Sequence, residues 1–399
     1  MVRSLFVSAL AIVAGCSFNI NGFAPGDGAT GGDDFAVPID LAGGGDDLAT
    51  PGVGDMASPP PPMDMAKKKG RRKTVTIDKS KVTANQTDFP VWIDLTDADI
   101  AASAQANGSD IFFTAADGTT VLDYQITRWD AAGHRLNAWV RVPSLPANAN
   151  TVLYVYYGDP SATATPNAPG VFKSSFAAVW HLDDALPAAA NAIADATGTH
   201  PGTPSLANTT QTAAKLGGGF AFTGSNDTIS FTNPLTGSTA HTISAWVSQN
   251  NVAHVSAILV VGTPTTDQSR FFYAHFTTPV VAAGYYNDDW TTGTGVDNGG
   301  FVLVHWVLEG ANGKNHIYVN GAEIGGSPKT ISPINTTGTA GVIGHAPEPA
   351  YGTNTGLDGT LDELRIATTA RTAGWIATEY ANQSSPATFY AVGAEEVAP

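Results

Sequence analysis

The stretch GLDGTLDELRI, residues Gly356 to Ile366, places two adjacent acids between leucines near the C-terminus. Its mixture of apolar and polar residues is typical of a β-strand, in which successive side chains point to opposite faces. On that pattern Glu363 shares one face with Arg365, and Asp362 points to the other face. The strand therefore predicts two acids that face away from each other.

This alternation bears on catalysis. Glycoside hydrolases need two carboxylates that face each other across the substrate, about 5 to 10 Å apart. We expect Glu363 to form an ion pair with Arg365 instead. We expect Asp362 to be partly buried, where it either accepts a hydrogen bond from a loop or binds a cation. The stretch thus indicates a structural strand rather than an acid/base pair.

The composition indicates an all-β protein. The 399 residues include 43 Gly and 25 Pro, and apolar runs rich in Val, Thr, Tyr and Phe alternate with turn residues. A net charge of -16 argues against non-specific nucleic-acid binding, which requires a cationic surface. The single cysteine, Cys16, excludes a disulfide framework and a cysteine-based zinc site.

The N-terminus, MVRSLFVSALAIVAGCSF, has the pattern of an export signal. Arg3 precedes an apolar run of about ten residues, which is too short to span a bilayer as a helix. The sequence Val13-Ala14-Gly15-Cys16 resembles the bacterial lipobox. The resemblance implies that residues 1–16 are a lipoprotein signal peptide, that Cys16 carries the lipid, and that the lipid alone contacts the membrane. With Ser17 after the cysteine, it implies an exported protein of the outer membrane or cell surface. The alternative is a secretory signal with an incidental cysteine.

Residues 17–69 are predicted to be a disordered stalk. They are rich in Asp, Gly and Pro, repeat the units DLA and DMA, and have too few apolar residues to offset chain entropy. The basic run KKKGRRK, Lys67 to Lys73, ends this segment. It either binds polyanions or forms a solvated border to the first strand, and we favour the border.

Residues 70–160 are predicted to form a small β-sandwich. In LNAWVRV, Leu136 to Val142, apolar residues alternate with Asn137, Trp139 and Arg141. The segment resembles the bacterial domain of unknown function 2341 in RRKTVTID, FPVWIDL, DIFFTAADGTTVLDYQI, NAWVRVPSL and LYVYYGDPSA. The resemblance implies a sandwich found beside cell-surface modules, with no assigned catalytic residues. We expect its aromatic side chains to pack in the core rather than to bind ligand.

Residues 170–396, after a short linker, resemble a laminin-G-like or concanavalin-A-like jelly roll. The resemblance rests on an opening strand, a turn, a central strand, a hairpin and a closing strand at Trp180–Asp183, Asp195–Gly198, Ser244–Val247, Tyr318–Gly321 and Asp362–Arg365. Asn320-Gly321 also predicts a type I′ turn without the family. In the tail, Thr372 is expected to cap a short helix, and residues 389–392 to form a last strand.

The resemblance to such jelly rolls, which often hold one Ca²⁺ near a loop edge, implies a structural calcium site. The best candidate metal ligands are Asp195 and Asp362. In the alternative, Asp195 closes a turn with Gly198. No Gly-x-Ser-x-Gly, His-Glu-x-x-His or Walker motif occurs in the sequence. We therefore predict that the protein is not an enzyme.

Two loops are the candidate ligand sites, because aromatic rings beside Asn and Asp suit sugar binding. The first, YYNDDWTTGTG, offers Tyr285, Asp288 and Trp290, and the second, HAPEPAYGTNTG, offers Tyr351 and Asn354. The favoured function is non-catalytic glycan or polysaccharide binding at the cell envelope. A structural role, with an envelope or surface protein as partner, and a glycan-active hydrolase are the alternatives.

Overall fold

The computed structural model describes residues 70–399 apart from 174, 187–188, 251–254, 276–280, 287, 292–298, 312, 325, 331–332 and 348–353, and it describes the backbone alone at 288–289. The predicted signal peptide and stalk therefore lie outside the described residues. None of the helices in the described part of the chain has the length and apolarity that a membrane span requires. The described strands pair antiparallel throughout, which confirms the all-β prediction.

The first lobe is a sandwich of two sheets. Its strands are β1 (Arg71–Ile77), β2 (Gln86–Thr96), β3 (Phe112–Ala115), β4 (Tyr124–Asp130), β5 (Arg135–Leu145) and β6 (Thr151–Tyr157), with β22 (Tyr390–Val392) and β23 (Glu396–Val397) from the end of the chain. Sheet A has the order β22-β1-β6-β3, with β23 also on β1, and sheet B has the order β2-β5-β4. Short helices α1 (Ala98–Ser103) and α2 (Ala168–Val171) and a 3₁₀ turn (Lys79–Lys81) connect or follow the strands.

Strand β5 follows the predicted alternation. Leu136, Ala138 and Val140 enter the core between sheets A and B. Trp139 points the other way and packs directly beside Trp92 of β2, with ring centroids 4.9 Å apart. Both tryptophans are buried as expected, but they face the second lobe rather than the first lobe's own core.

The second lobe is the predicted jelly roll. Sheet C has the order β19-β18-β17-β12-β21-β10-β9, with β7 also on β21, and sheet D has the order β16-β15-β14-β13-β20-β11-β8. The strands are β7 (Phe176–Trp180), β8 (Thr203–Ser205), β9 (Thr210–Ala214), β10 (Gly217–Thr223), β11 (Thr228–Thr232), β12 (His241–Gln249), β13 (Ser256–Gly262), β14 (Ser269–His275), β15 (Ala282–Tyr285), β16 (Asp288–Thr291), β17 (Val302–Leu308), β18 (Asn315–Val319), β19 (Ala322–Glu323), β20 (Ala340–Ile343) and β21 (Asp358–Ala367). Asn320 and Gly321, both at positive φ (51° and 80°), form the type I′ turn between β18 and β19.

The four sheets pack on one another through three apolar layers. One layer lies between sheets A and B, and another lies between sheets C and D. The third joins the lobes, because Trp92 and Trp139 of sheet B meet Val179, Trp246 and Leu303 of sheet C. The two lobes therefore share a buried apolar interface.

The C-terminal segment returns to the first lobe. Thr372 caps helix α3 (Ala373–Ser384), as predicted, by accepting a hydrogen bond from the N–H of Trp375. The side chain of Asn382 then bonds both the N–H and the C=O of Trp92 on the edge strand β2. After helix α4 (Pro386–Phe389), strand β22 pairs with β1.

The predicted domain 170–396 included this tail, and the structure corrects that assignment. Strand β22 completes sheet A because β1 presents an open edge on that side.

Candidate functional site

The described part of the first predicted ligand loop belongs to a β-hairpin. Strands β15 and β16 pair, with Tyr285 opposite Asp288. Tyr285 is 1% exposed and Trp290 is 4% exposed, and both belong to the core between sheets C and D. Strand alternation directs the two rings inward, so the prediction that they contact a ligand was wrong.

The structure does not test the ligand role of the other three predicted residues. The side chain of Asp288 and all of Tyr351 lie outside the described residues. Asn354 is exposed and has a φ of 61°. A ligand role for these three residues stays a prediction.

Asp195 forms the turn that was the alternative to a metal site. Its carboxylate accepts hydrogen bonds from the backbone N–H of Val179, Thr197, Thr199 and His200 and from the Thr197 hydroxyl. Gly198, at φ 78°, donates its N–H to the Asp195 carbonyl and completes the turn. Five protein donors therefore occupy the carboxylate that was predicted to bind calcium.

The closing strand β21 contains a β-bulge at the predicted acid pair. Ser244 of β12 lies opposite Arg365, and Trp246 lies opposite Asp362. Two steps along β12 thus match three steps along β21. Glu363, at φ 51°, is the extra residue and adopts the left-handed conformation.

The bulge places the two acids on the same face. Leu361 and Leu364, which flank them, both enter the core between sheets C and D. Asp362 bonds the backbone of Leu216 from the interlobe layer, and Glu363 bonds His181. The prediction that the acids point to opposite faces was therefore wrong, because alternation fails across a residue in the left-handed region.

Glu363 is the first member of a buried network of charged groups. It accepts from Nδ1 of His181 at 2.7 Å and from Nη2 of Arg365 at 2.8 Å, which confirms the predicted ion pair. Arg365 also donates to Glu379 of α3 at 2.9 Å, and Glu379 bonds Nε2 of His305 at 3.0 Å. The side chains of these residues are at most 9% exposed.

The network holds its carboxylates in the ionised form. Burial opposes ionisation of Glu363, but the charges of His181 and Arg365 outweigh it and lower the pKa of Glu363. Burial likewise opposes ionisation of Glu379, but the hydrogen bond and charge of His305, with the charge of Arg365, lower its pKa to about 2. Both groups therefore serve as fixed anions at neutral pH.

The pKa of Asp362 is shifted in the opposite direction to the pKa of Glu363 and Glu379. It is 1% exposed and accepts one hydrogen bond, at 2.8 Å, from the N–H of Leu216 in the loop between β9 and β10. This confirms the predicted bond to a loop. Burial, followed by the charge of Glu363, raises the pKa of Asp362 well above its usual range. The raised pKa favours the neutral form of Asp362 at the interface of the lobes.

These two carboxyls do not fit a calcium centre. Calcium binds six to eight oxygens and favours ionised carboxylates. Asp195 accepts five hydrogen bonds from protein donors, and burial of Asp362 favours its neutral form. Within the described ranges, no cluster of three or more His, Cys, Asp or Glu residues is arranged to hold a metal ion.

An open cleft of about 450 Å³ lies between the lobes, above the buried acids. The first lobe contributes Thr127, Arg128 and Asn137, and the second contributes Asp183, Gln211, Thr212 and the turn around Leu216. We call this the interlobe cleft.

The interlobe cleft offers both hydrogen-bond donors and acceptors. Arg128 and Gln211 expose donors, and Gln211 also bonds the Asp183 carbonyl at 2.6 Å. Asn137 is 1% exposed, and its Oδ1 has no hydrogen-bond partner among the described residues. Asp183, the one carboxylate among the described lining residues, is exposed to the cleft, and desolvation by the surrounding protein raises its pKa.

A second depression continues from the interlobe cleft. It has a volume of about 330 Å³ and shares Gln211 with the cleft. Its walls are Leu186, Leu206 and the start of β9, so they present apolar surface beside polar groups. Together the two depressions form a groove along the edge of the second lobe.

Sequence reasoning missed this groove. Asn137 and Gln211 are polar residues in strands. Such residues predict a solvent-facing side of the strand but do not distinguish a binding groove from ordinary surface. The missing information was the packing of sheet B on sheet C, which brings residues about 75 positions apart into one cleft.

Replacing Asp362 by Asn should increase stability, and the gain should grow with pH. The amide keeps the acceptor for Leu216 and cannot ionise. Because the folded pKa of Asp362 is raised, the wild-type protein loses stability as pH rises from its unfolded value, near 4, through the folded value. The loss is roughly 1.4 kcal/mol of unfolding free energy for each unit by which the folded pKa exceeds the unfolded pKa.

Urea unfolding of both proteins at pH 4, 6 and 8 measures this gain. If Asp362→Asn is the less stable protein at pH 8, and by more than at pH 4, then Asp362 is ionised in the fold and the assignment fails.

Two family models match the chain. The first, "Domain of unknown function (DUF2341)", covers residues 107–185, and the second, "Concanavalin A-like lectin/glucanases superfamily", covers residues 223–377. The first match includes β7, which pairs with β21 inside sheet C. The first-lobe wall of the interlobe cleft and Asp183 thus lie in the first match, and Gln211 lies between the two matches.

The chain is also similar to solved structures. Domain 4 of AbnA, an extracellular GH43 arabinanase from Geobacillus stearothermophilus, in complex with arabinotriose, is 20% identical over 52% of this chain and 98% of that one, with a TM-score of 0.40. A Trypanosoma rangeli sialidase is 14% identical over 65% of this chain and 43% of that one, with a TM-score of 0.40. The Botulinum neurotoxin type G receptor binding domain is 12% identical over 52% of this chain and 51% of that one, with a TM-score of 0.37.

The chain thus spans about half the length or less of the sialidase and of the toxin domain. No curated protein matches it. From the two family matches and the sheets that they cover, the chain joins a DUF2341 domain to a domain of the concanavalin A-like lectin/glucanases superfamily.

Proposed function

We propose that this protein binds carbohydrate at the cell envelope and does not cut it. The observation that carries the proposal is the contrast between the open interlobe cleft and the closed acid pair. The cleft exposes Arg128, Asp183 and Gln211, whereas Asp362 and Glu363 are 1% and 3% exposed. Recognition groups are accessible, and the paired acids are not.

The interlobe cleft suits a polar, uncharged ligand of saccharide size. Its volume of about 450 Å³ falls in the range of about 300 to 1,000 Å³ that is common for small-molecule sites. A sugar hydroxyl both donates and accepts, so a matching site needs groups of both kinds. The cleft supplies donors from Arg128 and Gln211 and acceptors from the side-chain oxygens of Gln211 and Asp183.

The adjoining depression extends the site along a chain-like ligand. Leu186 and Leu206 present apolar surface there, which suits the C–H face of a sugar ring. Because Gln211 borders both depressions, a single oligosaccharide would contact both. A polysaccharide is therefore the ligand class that we favour.

The small number of accessible carboxylates in the interlobe cleft argues against a hydrolase. Cleavage of a glycosidic bond uses two carboxyl groups on facing sides of the bond. Among the described residues that line the interlobe cleft, Asp183 is the one carboxylate. The superfamily description names both glucanases and lectins. Because Asp183 has no second carboxylate opposite it among the described lining residues, we favour lectin-like binding over hydrolysis.

Glycan retention by residues 62–399, the compact unit that contains both lobes, tests the proposal. We expect binding on a polysaccharide array, and we expect Gln211→Ala and Arg128→Ala each to weaken it about five- to tenfold through loss of one hydrogen bond. Asn148→Ala, an exposed change outside the cleft, is the matched control and should bind as the wild type does.

Two results would count against the proposal. Equal binding by the wild type and both cleft variants would show that the ligand binds outside the interlobe cleft. Retention of no glycan, with co-purification of envelope proteins, would favour the structural role.

The lipid anchor at Cys16 is part of the proposal and has its own test. The lipobox resemblance predicts that the exported protein begins at a diacylated Cys16. Mass spectrometry of its N-terminal peptide should find the added acyl mass and no residue before Cys16. Detection of a free Cys16 thiol in the exported protein would contradict the anchor and would leave the glycan site untouched.

A further inference from the structure

Asp183 supplies the negative charge of the interlobe cleft. It is the one carboxylate among the described lining residues, and it is exposed to the cleft, whereas Asp362 and Glu363 are enclosed. Its backbone is held by the neighbouring strand, because Gln211 of β9 donates to the Asp183 carbonyl at 2.6 Å. The carboxylate therefore stands at a defined place in the cleft, where it can contact a bound ligand.

The backbone just before Asp183 is strained. Leu182 adopts a left-handed conformation with a φ of 61°, which is unfavourable for a bulky side chain. Its side chain is fully buried in the core between sheets C and D, and this packing holds the conformation in place. Such strain is often retained where the chain directs a functional side chain. Here the residue that follows the strained position is the cleft carboxylate.

The start of β10 leaves room for the Asp183 side chain. Gly217 and Gly218 both line the cleft. A Cβ added to Gly218 would lie 3.1 Å from the Cβ of Asp183 and 3.6 Å from Nε2 of Gln211. The first distance is shorter than such contacts normally are, so a side chain at Gly218 would press against Asp183. The glycine therefore keeps Asp183 and Gln211 accessible together.

The other charges around the cleft are paired. Arg128, which also lines the cleft, forms an ion pair with Asp130 at 3.0 Å. Beneath the cleft, Glu363 is paired with Arg365 at 2.8 Å. Asp183, in contrast, has no ion-pair partner in the described part of the chain.

Lys215 does not neutralise Asp183 either. It lies in the turn between β9 and β10, next to the lining residue Leu216. Its Nζ donates to the carbonyl of Ser384 at 3.1 Å and lies 5.2 Å from the ring centroid of Trp246. The described lining of the interlobe cleft is therefore left with one unbalanced negative charge.

We infer that Asp183 makes the interlobe cleft selective for neutral polysaccharides over acidic ones. This inference rests on the proposed carbohydrate binding and names the ligand class of the same cleft. An ionised carboxylate accepts hydrogen bonds and donates none, so the hydroxyl groups of a neutral sugar are matching partners. A uronate or sulfate group at the same place would bring a second negative charge beside an unpaired one, which opposes binding.

The test compares matched pairs of oligosaccharides that differ only at C6. Residues 62–399 are titrated with oligosaccharides of galactan, mannan and glucan and with the corresponding oligogalacturonate, oligomannuronate and oligoglucuronate. Ionic strength is constant, and the pH is 8, at which an exposed carboxyl is ionised. We expect the wild-type protein to bind the neutral member of each retained pair about tenfold more tightly than the uronate.

Two substitutions of adjacent acids give the decisive comparison. Asp183→Asn removes the charge and keeps one acceptor oxygen. Neutral binding should weaken about fivefold, and the preference over uronates should fall to about twofold or less. Asp184→Asn makes the same charge change outside the cleft lining, and its amide oxygen still accepts from the N–H of Ala194. This control should keep the wild-type affinity and the tenfold preference.

Three results would overturn the inference alone. They are equal or tighter binding of the uronates by the wild type, an unchanged preference in Asp183→Asn, and a preference that falls equally in Asp183→Asn and Asp184→Asn. The last result would assign the discrimination to the general field of a chain with a net charge of -16. In each case oligosaccharides are still retained, so carbohydrate binding stands. Retention of none of them would overturn the proposed function and this inference with it.

Discussion

The ion pair between Glu363 and Arg365 links elements of both lobes with helix α3 at the lobe interface. Through His181 it reaches β7 and the bond to Gln125 of the first lobe, and through Glu379 it reaches α3. The guanidinium of Arg365 also lies 4.2 Å from the ring centroid of Trp139 in sheet B. Buried charges are costly unless they are paired and hydrogen-bonded. Here Glu363 has two charged or polar partners and Glu379 has three.

The left-handed residue in β21 makes this network possible. A regular strand would direct Glu363 into the apolar core between sheets C and D, where it would have no partner. The bulge turns it toward sheet B, alongside Asp362, and lets Leu361 and Leu364 fill the core. The same distortion that joins the lobes also encloses both acids.

The sequence predicted the features that depend on local rules. Alternation in Leu136–Val142, the turn at Asn320-Gly321 and the cap at Thr372 follow from side-chain periodicity and from the chemistry of turns and caps. The jelly roll and the preceding sandwich followed from resemblance and were confirmed.

Long-range packing determined the rest. Nothing in GLDGTLDELRI marks Glu363 as left-handed, because the bulge is set by its pairing with β12. Tyr285 and Trp290 resemble loop aromatics in sequence, yet a short hairpin turns both rings inward. The interlobe cleft combines residues from distant segments, so it does not form a sequence motif.

The central claim is that the enclosed acids leave a protein that holds a polysaccharide without cleaving it. The most direct measurement is the release of reducing ends from the polysaccharide that residues 62–399 retain, followed over many hours at pH 5 and pH 7. We predict no release above the protein-free blank while the polysaccharide stays bound. Steady release of reducing ends that is lost in Asp183→Asn would contradict the account and would identify a hydrolase.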